Sequence, residues 1–232
     1  MSQLDKKVQN LTEYPAIFIT GTDTEIGKTY CTSLLLRHMN SLGIDVNPFK
    51  PISAGVESHL LDDDGAELNE DAYRLWQASN KRYSLNDINP IVFKQPIAPH
   101  IAAEIEQRPL SFQQLDDVLP KALSLAELTL IEGAGGWHLP LNNQQLLSDW
   151  VAVKRLPVIL VVGIRLGCLN HALLTAQAIK ASGCQLVGWI ANFVEGKGDV
   201  HLKNTEYLTQ KLNDVYGVEC LFEVDKNQTK LI

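Results

Sequence analysis

Residues 21–29, Gly-Thr-Asp-Thr-Glu-Ile-Gly-Lys-Thr, have the composition of a phosphate-binding loop. In such a loop, backbone N–H groups of a glycine-containing turn curl around anionic oxygens, and the dipole of the following helix adds a favourable field. Lys28 would then reach the β- and γ-phosphates as a mobile point charge, and Thr29 would offer its hydroxyl to Mg²⁺. Gly21 and Gly27 are separated by five residues, where the strict pattern has about four. Thr22 stands where the first glycine of that pattern would be. The flanks support the loop, because a β-branched apolar run (16–20) enters it and a helical pattern leaves it.

A Mg·ATP site also needs a carboxylate at the carboxyl end of a neighbouring strand. Leu128-Thr129-Leu130-Ile131-Glu132 supplies one, and the small residues Gly133, Ala134, Gly135 and Gly136 after it allow close backbone approach to a nucleotide. The plain alternatives are a surface acid after a strand for Glu132 and a tight turn for the glycines. Lys50 closes another apolar run, Phe49-Lys50-Pro51-Ile52-Ser53-Ala54-Gly55. Ligands of parallel sheets sit at the carboxyl ends of the strands, so a lysine there points at phosphates or a substrate anion. The plain alternative is a strand-end lysine extending its stem to solvent.

These side chains need a rigid scaffold. Runs 16–20, 46–49, 128–131, 158–162 and 186–191 are apolar nearly throughout, the pattern of strands buried on both faces of a parallel sheet. Residues 91–93 read as a further strand and 218–224 as an edge strand. Helical patterns lie between them at 29–42, 70–78, 111–123 and 170–182, with Ser111 as an N-cap. The alternation predicts an α/β fold of three layers, a mainly parallel sheet with helices on both faces, as in P-loop NTPases. With no repeat and no linker composition, residues 1–232 read as one domain, with a flexible N-terminus at 1–14 and a short, atypical C-terminus at 221–232. The acidic stretch Asp62-Asp63-Asp64-Gly65 reads as a solvated loop.

Composition narrows the function classes. Of 232 residues 45% are hydrophobic, enough for a sizeable core. The net charge of −7 argues against nucleic acid as a partner. Four scattered cysteines and six histidines without ligand spacing argue against zinc or a disulfide framework and for a reducing compartment. The polar start MSQLDKKVQN and the shortness of the longest apolar stretch, 156–164, predict a soluble cytoplasmic protein away from membranes.

The segments GTDTEIGKT, KPISAG, PHIAAE, EGAGGWHLPL and LPVILVVGIRLGCLNHALLTA, in this order, resemble dethiobiotin synthetases from about Phe18 to Asn192. The resemblance implies a homodimer of P-loop α/β subunits. It implies a ligase that closes 7,8-diaminopelargonic acid with CO₂ and Mg·ATP into dethiobiotin, releasing ADP and phosphate. Residues carried over are Lys28 and Lys50 as catalytic, and Thr29, Asp71 and Glu132 as metal ligands. Nucleotide contacts fall on Glu25, Ile26, Gly27, Lys28, Thr29, Tyr30, Asp71, Glu132, Gly133, Ala134, Gly135, Asn192 and Phe193. Substrate contacts fall on Ser53 and Ala54, and on the turn Gly167-Cys168-Leu169-Asn170, whose helix start receives the substrate carboxylate across the dimer interface.

Two departures stand out. The family's substrate-contacting serine falls at Ala54, and the hydroxyl at Ser53 instead points to the other face of an extended segment. The family's Gly-x-Ile-Pro stretch and closing helix have no counterpart after Leu221–Asp225, a departure that bears on adenine selectivity. Competing readings are a nucleotide-binding paralogue without turnover and a partition-type ATPase. The latter carries a lysine five residues before the loop lysine, where Asp23 stands here. Cobyrinic acid amidating ligases add a glutaminase domain for which this length leaves no room.

Overall fold

The computed structural model describes residues 1–62 and 64–231. The strands are β1 (Ala16–Gly21), β2 (Val46–Phe49), β3 (Ile52–Ala54), β4 (Glu57–Leu61), β5 (Glu67–Leu68), β6 (Ile91–Phe93), β7 (Leu128–Glu132), β8 (Val158–Gly163), β9 (Leu186–Asn192) and β10 (Cys220–Val224). The helices are α1 (Gln3–Asn10), α2 (Lys28–Ser41), α3 (Glu70–Ala78), α4 (Leu85–Ile88), α5 (Pro99–Ile105), α6 (Phe112–Leu123), α7 (Leu147–Val153), α8 (Cys168–Ala181) and α9 (Asp199–Tyr216).

Six strands form one parallel sheet in the order β10-β9-β8-β1-β7-β2. Both faces are covered, and successive residues of each strand feed two different cores. Ile17, Ile159, Val161 and Ile190 pack with Leu34, Leu35 and Met39 of α2. Phe18, Leu160, Val162 and Trp189 pack on the other face with residues of α6, α7, α8 and α9. Two buried faces are why these runs read as continuously apolar. The sheet places β1 between β7 and β8, so their carboxyl ends meet around the loop that follows β1.

The structure differs from the sequence reading in several places, and the short elements α4, α5, α7, β3, β4 and β5 have no counterpart in it. The run 91–93 is a strand, but β6 pairs with β3 in a separate two-stranded parallel sheet. The N-terminal residues, expected to be flexible, include α1. Ser2 caps α1 through a reciprocal box with Asp5, its Val8 is buried, and Lys7 donates to the Cys220 carbonyl at 2.6 Å. Helix α9 has no counterpart in the expected elements. Its buried residues are Thr205, Leu208 and Leu212, while Val200, Leu202, Tyr207 and Val215 are exposed. Apolar residues on several faces blur the helical stripe. In the acidic loop, Asp62 Oδ1 accepts the N–H groups of Asp64 and Ala66; Asp63 lies outside the described residues.

Candidate active site

β1 delivers the chain into the loop 22–27, and α2 begins at Lys28 with Gly27 as its N-cap. Gly27 has φ +80°, and a Cβ there would lie 2.3 Å from the Asn192 amide nitrogen. The position therefore excludes a side chain on both backbone and steric grounds. Glu25 also has a positive φ of 58°, an uncommon conformation for a residue with a Cβ, at the crest of the loop. Lys28 is buried and donates to the Asp23 carbonyl at 3.0 Å. Burial, with the nearby Lys50 charge, lowers its pKa to about 8.

Beyond the loop, three elements converge on Glu132, which ends β7 and is fully buried. Thr29 Oγ1 donates to Glu132 Oε1 at 2.6 Å, and Lys50 Nζ donates to the same oxygen at 2.9 Å. Lys50 Nζ also lies 3.3 Å from Asp71 Oδ2 at the start of α3. Burial alone would push the Lys50 pKa down, but Glu132 and Asp71 outweigh it and hold the ammonium charged. For Asp71, burial pushes the pKa up, and Lys50 with Thr29 more than reverses that, leaving it lowered. The backbone of Lys50 is pinned as well: its N–H donates to the Ile88 carbonyl at 2.7 Å, and its carbonyl accepts from Asn89 Nδ2 at 2.6 Å.

This donor set suits a hard divalent cation. Glu132 Oε2 is buried without a partner, and the Lys50 ammonium already sits between two carboxylates that seek positive charge. Among the described residues no group of three or more His, Cys, Asp or Glu side chains gathers as a metal site. The protein alone offers two carboxylates and a hydroxyl, which matches magnesium's habit of taking its remaining ligands from phosphates and water. A cleft of about 880 Å³ opens over these groups, and Glu25, Lys28, Thr29, Lys50 and Asp71 line it. Its volume fits a nucleotide with a second small molecule.

Relatives identify the family. A family model described as an AAA domain matches residues 15–229. An ATP-dependent dethiobiotin synthetase from Vibrio cholerae is 42% identical over 197 residues, covering 85% of this chain and 84% of the relative. Others from Vibrio parahaemolyticus and Serratia marcescens are 40% identical over 198 residues (85% of each chain) and 45% identical over 179 residues (77% of each). The chain belongs to the dethiobiotin synthetase family.

The remaining residues that the resemblance to dethiobiotin synthetases singles out fall in different surroundings. Tyr30, Ala134 and Gly135 line the cleft, as do Ser53 and Ala54. The Ser53 hydroxyl is already committed, donating to Asn89 Oδ1 at 2.7 Å, so it braces the segment that carries Lys50. Asn89 was not singled out in the sequence, because its two partners lie 36 and 39 residues away. Asn192 is buried and donates from Nδ2 to the Ile26 carbonyl at 2.7 Å, tying β9 to the loop. Ile26 and Phe193 are buried, and Gly133 packs so closely that a Cβ would lie 2.7 Å from the Phe18 ring. Gly167 is the left-handed N-cap of α8, and Cys168, Leu169 and Asn170 form its first turn; none of the four lines the cleft. Tyr30 Oη donates to the carbonyl of Gln228, so the segment after β10 folds back over the start of α2, with Leu231 buried in the core on that face. Asn69 and Arg74 line the cleft without having been singled out; Asn69 caps α3 and donates to the Gly55 carbonyl at 2.8 Å.

Proposed function

We propose that this chain closes 7,8-diaminopelargonic acid with CO₂ into dethiobiotin at the expense of ATP, with Mg²⁺. The observation that carries the reading is the position of Lys50, whose ammonium shares a buried carboxylate with Thr29 of the phosphate loop and faces the same cleft as Lys28.

One substrate amine attacks CO₂, loses a proton and becomes a carbamate. A carbamate oxygen attacks the γ-phosphorus and ADP leaves, giving a carbamic–phosphoric anhydride. The second amine then attacks the carbamoyl carbon, and phosphate leaves as the cyclic urea forms. None of these steps needs a protein nucleophile. They need reactants held in line and positive charge where negative charge gathers. Lys28 serves the phosphates, and Lys50 serves the carbamate and the transferring phosphoryl group. Held by Thr29, Asp71 and Glu132, the magnesium ion would neutralise charge across the phosphates. Phosphate release is expected to require diaminopelargonate together with bicarbonate. ATP hydrolysis that ignores both would sink the reading and favour a switching ATPase.

The same reading makes the protein a cytoplasmic homodimer, with the start of α8 offered to the partner's substrate. Its support is a pair of exposed leucines, Leu166 just before that turn at 97% and Leu174 on α8 at 57%. Four free cysteines suit a reducing compartment, and among the described residues no helix is long and apolar enough to cross a membrane. Sizing chromatography should give about twice the 25.8 kDa chain mass, and elution as a monomer at micromolar concentration would count against the dimer.

A further inference from the structure

The phosphate loop contains two carboxylates, Asp23 and Glu25, charges that repel the ligand the loop is shaped for. Asp23 lies five residues before Lys28, and its carbonyl is the group on which the Lys28 ammonium rests. Its side chain is not left free. Oδ1 accepts the Thr24 N–H at 2.8 Å, and Oδ2 accepts from Arg165 Nη2 at 2.8 Å. Arg165 comes from the connection between β8 and α8, 142 residues away in sequence, and reaches the loop because β8 pairs directly with β1. The two side chains are 38% and 45% exposed, so the pair contributes little to stability. Its position is what matters, because an unneutralised carboxylate beside a polyphosphate acts over several ångströms.

We propose that Arg165 is a charge-neutralising residue of the nucleotide site, acting through Asp23: it cancels the Asp23 carboxylate, one of the two that the phosphate loop carries. This rests on the nucleotide reading above. The Arg165 guanidinium need not touch the nucleotide. It offsets the Asp23 charge while the Asp23 backbone and Oδ1 hold the turn.

The test is calorimetric titration of a non-hydrolysable ATP analogue with Mg²⁺ into the full-length protein. Arg165→Met is expected to bind about tenfold more weakly than wild type, with the deficit shrinking at high salt. Arg165→Lys is expected to keep wild-type affinity. The deciding variant is Arg165→Met with Asp23→Asn, in which asparagine preserves the Oδ1 acceptor and removes the charge. That double variant should return to within about threefold of wild type, given that only the charge imbalance is repaired. Steady-state kinetics should show the Arg165→Met loss in KM for ATP, with kcat little changed. Two results would overturn the proposal: unchanged binding by Arg165→Met, or a double variant as weak as the single one. The second would place Arg165 on the nucleotide itself or in the loop's geometry. Absence of binding by wild type defeats the nucleotide reading and the proposal with it, whereas binding by Lys28→Ala as tight as wild type would place the phosphates away from this loop and defeat the proposal alone. Thermal unfolding of each variant near the wild-type midpoint confirms that binding is compared between folded proteins.

Discussion

Lys50→Ala should lower turnover by about a hundredfold to a thousandfold, the scale on which one preorganised charge donor acts in a transition state. The same change should destabilise the empty protein by about 3–5 kcal/mol, the usual result of removing one partner from a buried ion pair. The two losses share one cause. Glu132 is fully buried, Lys50 is 3% exposed, and Asp71 leans on the same ammonium. Removing the cation leaves Glu132 with the Thr29 hydroxyl as its remaining hydrogen-bond donor and its Oε2 still without one. On the proposed reading a divalent cation would satisfy the same carboxylates, so Mg²⁺ with ADP should raise the unfolding midpoint of the variant more than that of wild type. Lys50→Met separates charge from packing, because it keeps the stem and should match alanine in turnover. Chemical denaturation with and without Mg·ADP, alongside phosphate release, reads all three. A variant as stable as wild type would mean that the buried carboxylate does not depend on this lysine, and the account of the site would fail.

The legible part of this site was the part built from strand ends. Lys50 and Glu132 close apolar runs, Lys28 and Thr29 follow the loop that leaves another, and a parallel sheet brings the carboxyl ends of such runs to one edge. Their convergence is therefore legible in the sequence. Asp71 came only from the family resemblance. Its own neighbourhood describes a helix N-terminus, and nothing local says that α3 leans toward Lys50. The braces were illegible for a different reason. Ser53–Asn89 and Arg165–Asp23 join positions far apart in the chain, and a polar residue carries no period that announces its partner. In the fold, buried strands were read well because two covered faces leave no polar alternation to misjudge. α1 went unseen because its first turn is polar and Val8 is its sole buried residue. A usable signal was present, since Ser2 with Asp5 is the spacing of a capping box.

Lys28→Ala is expected to lower turnover by about a thousandfold, because in the proposed reaction the side chain would meet charge that builds during phosphoryl transfer. A second consequence is specific to this pocket. Burial, with Lys50 nearby, lowers the Lys28 pKa from 10.5 to about 8 in the empty protein. The unfolded chain keeps the ordinary value, so between about pH 8 and 10.5 it binds a proton that the folded state has released. Stability from this group is therefore lacking below about pH 8 and gained as pH rises through the window, by about 3 kcal/mol in all. Nucleotide binding runs the other way. A polyphosphate beside the ammonium restores its affinity for the proton, so binding above about pH 8 must take up a proton. Affinity for Mg·ATP should then fall by up to about tenfold per pH unit through that range. Titration calorimetry at pH 9 in buffers of different ionisation enthalpy should detect nearly one proton taken up per nucleotide in wild type and almost none in Lys28→Met. Equal uptake by both would assign the proton to another group. No uptake by wild type would mean that Lys28 is fully charged before the nucleotide arrives. In that event the cost of burying this ammonium is already met by the carbonyl of Asp23 and the carboxylates around Lys50, and the loop binds ATP without drawing a proton from solvent.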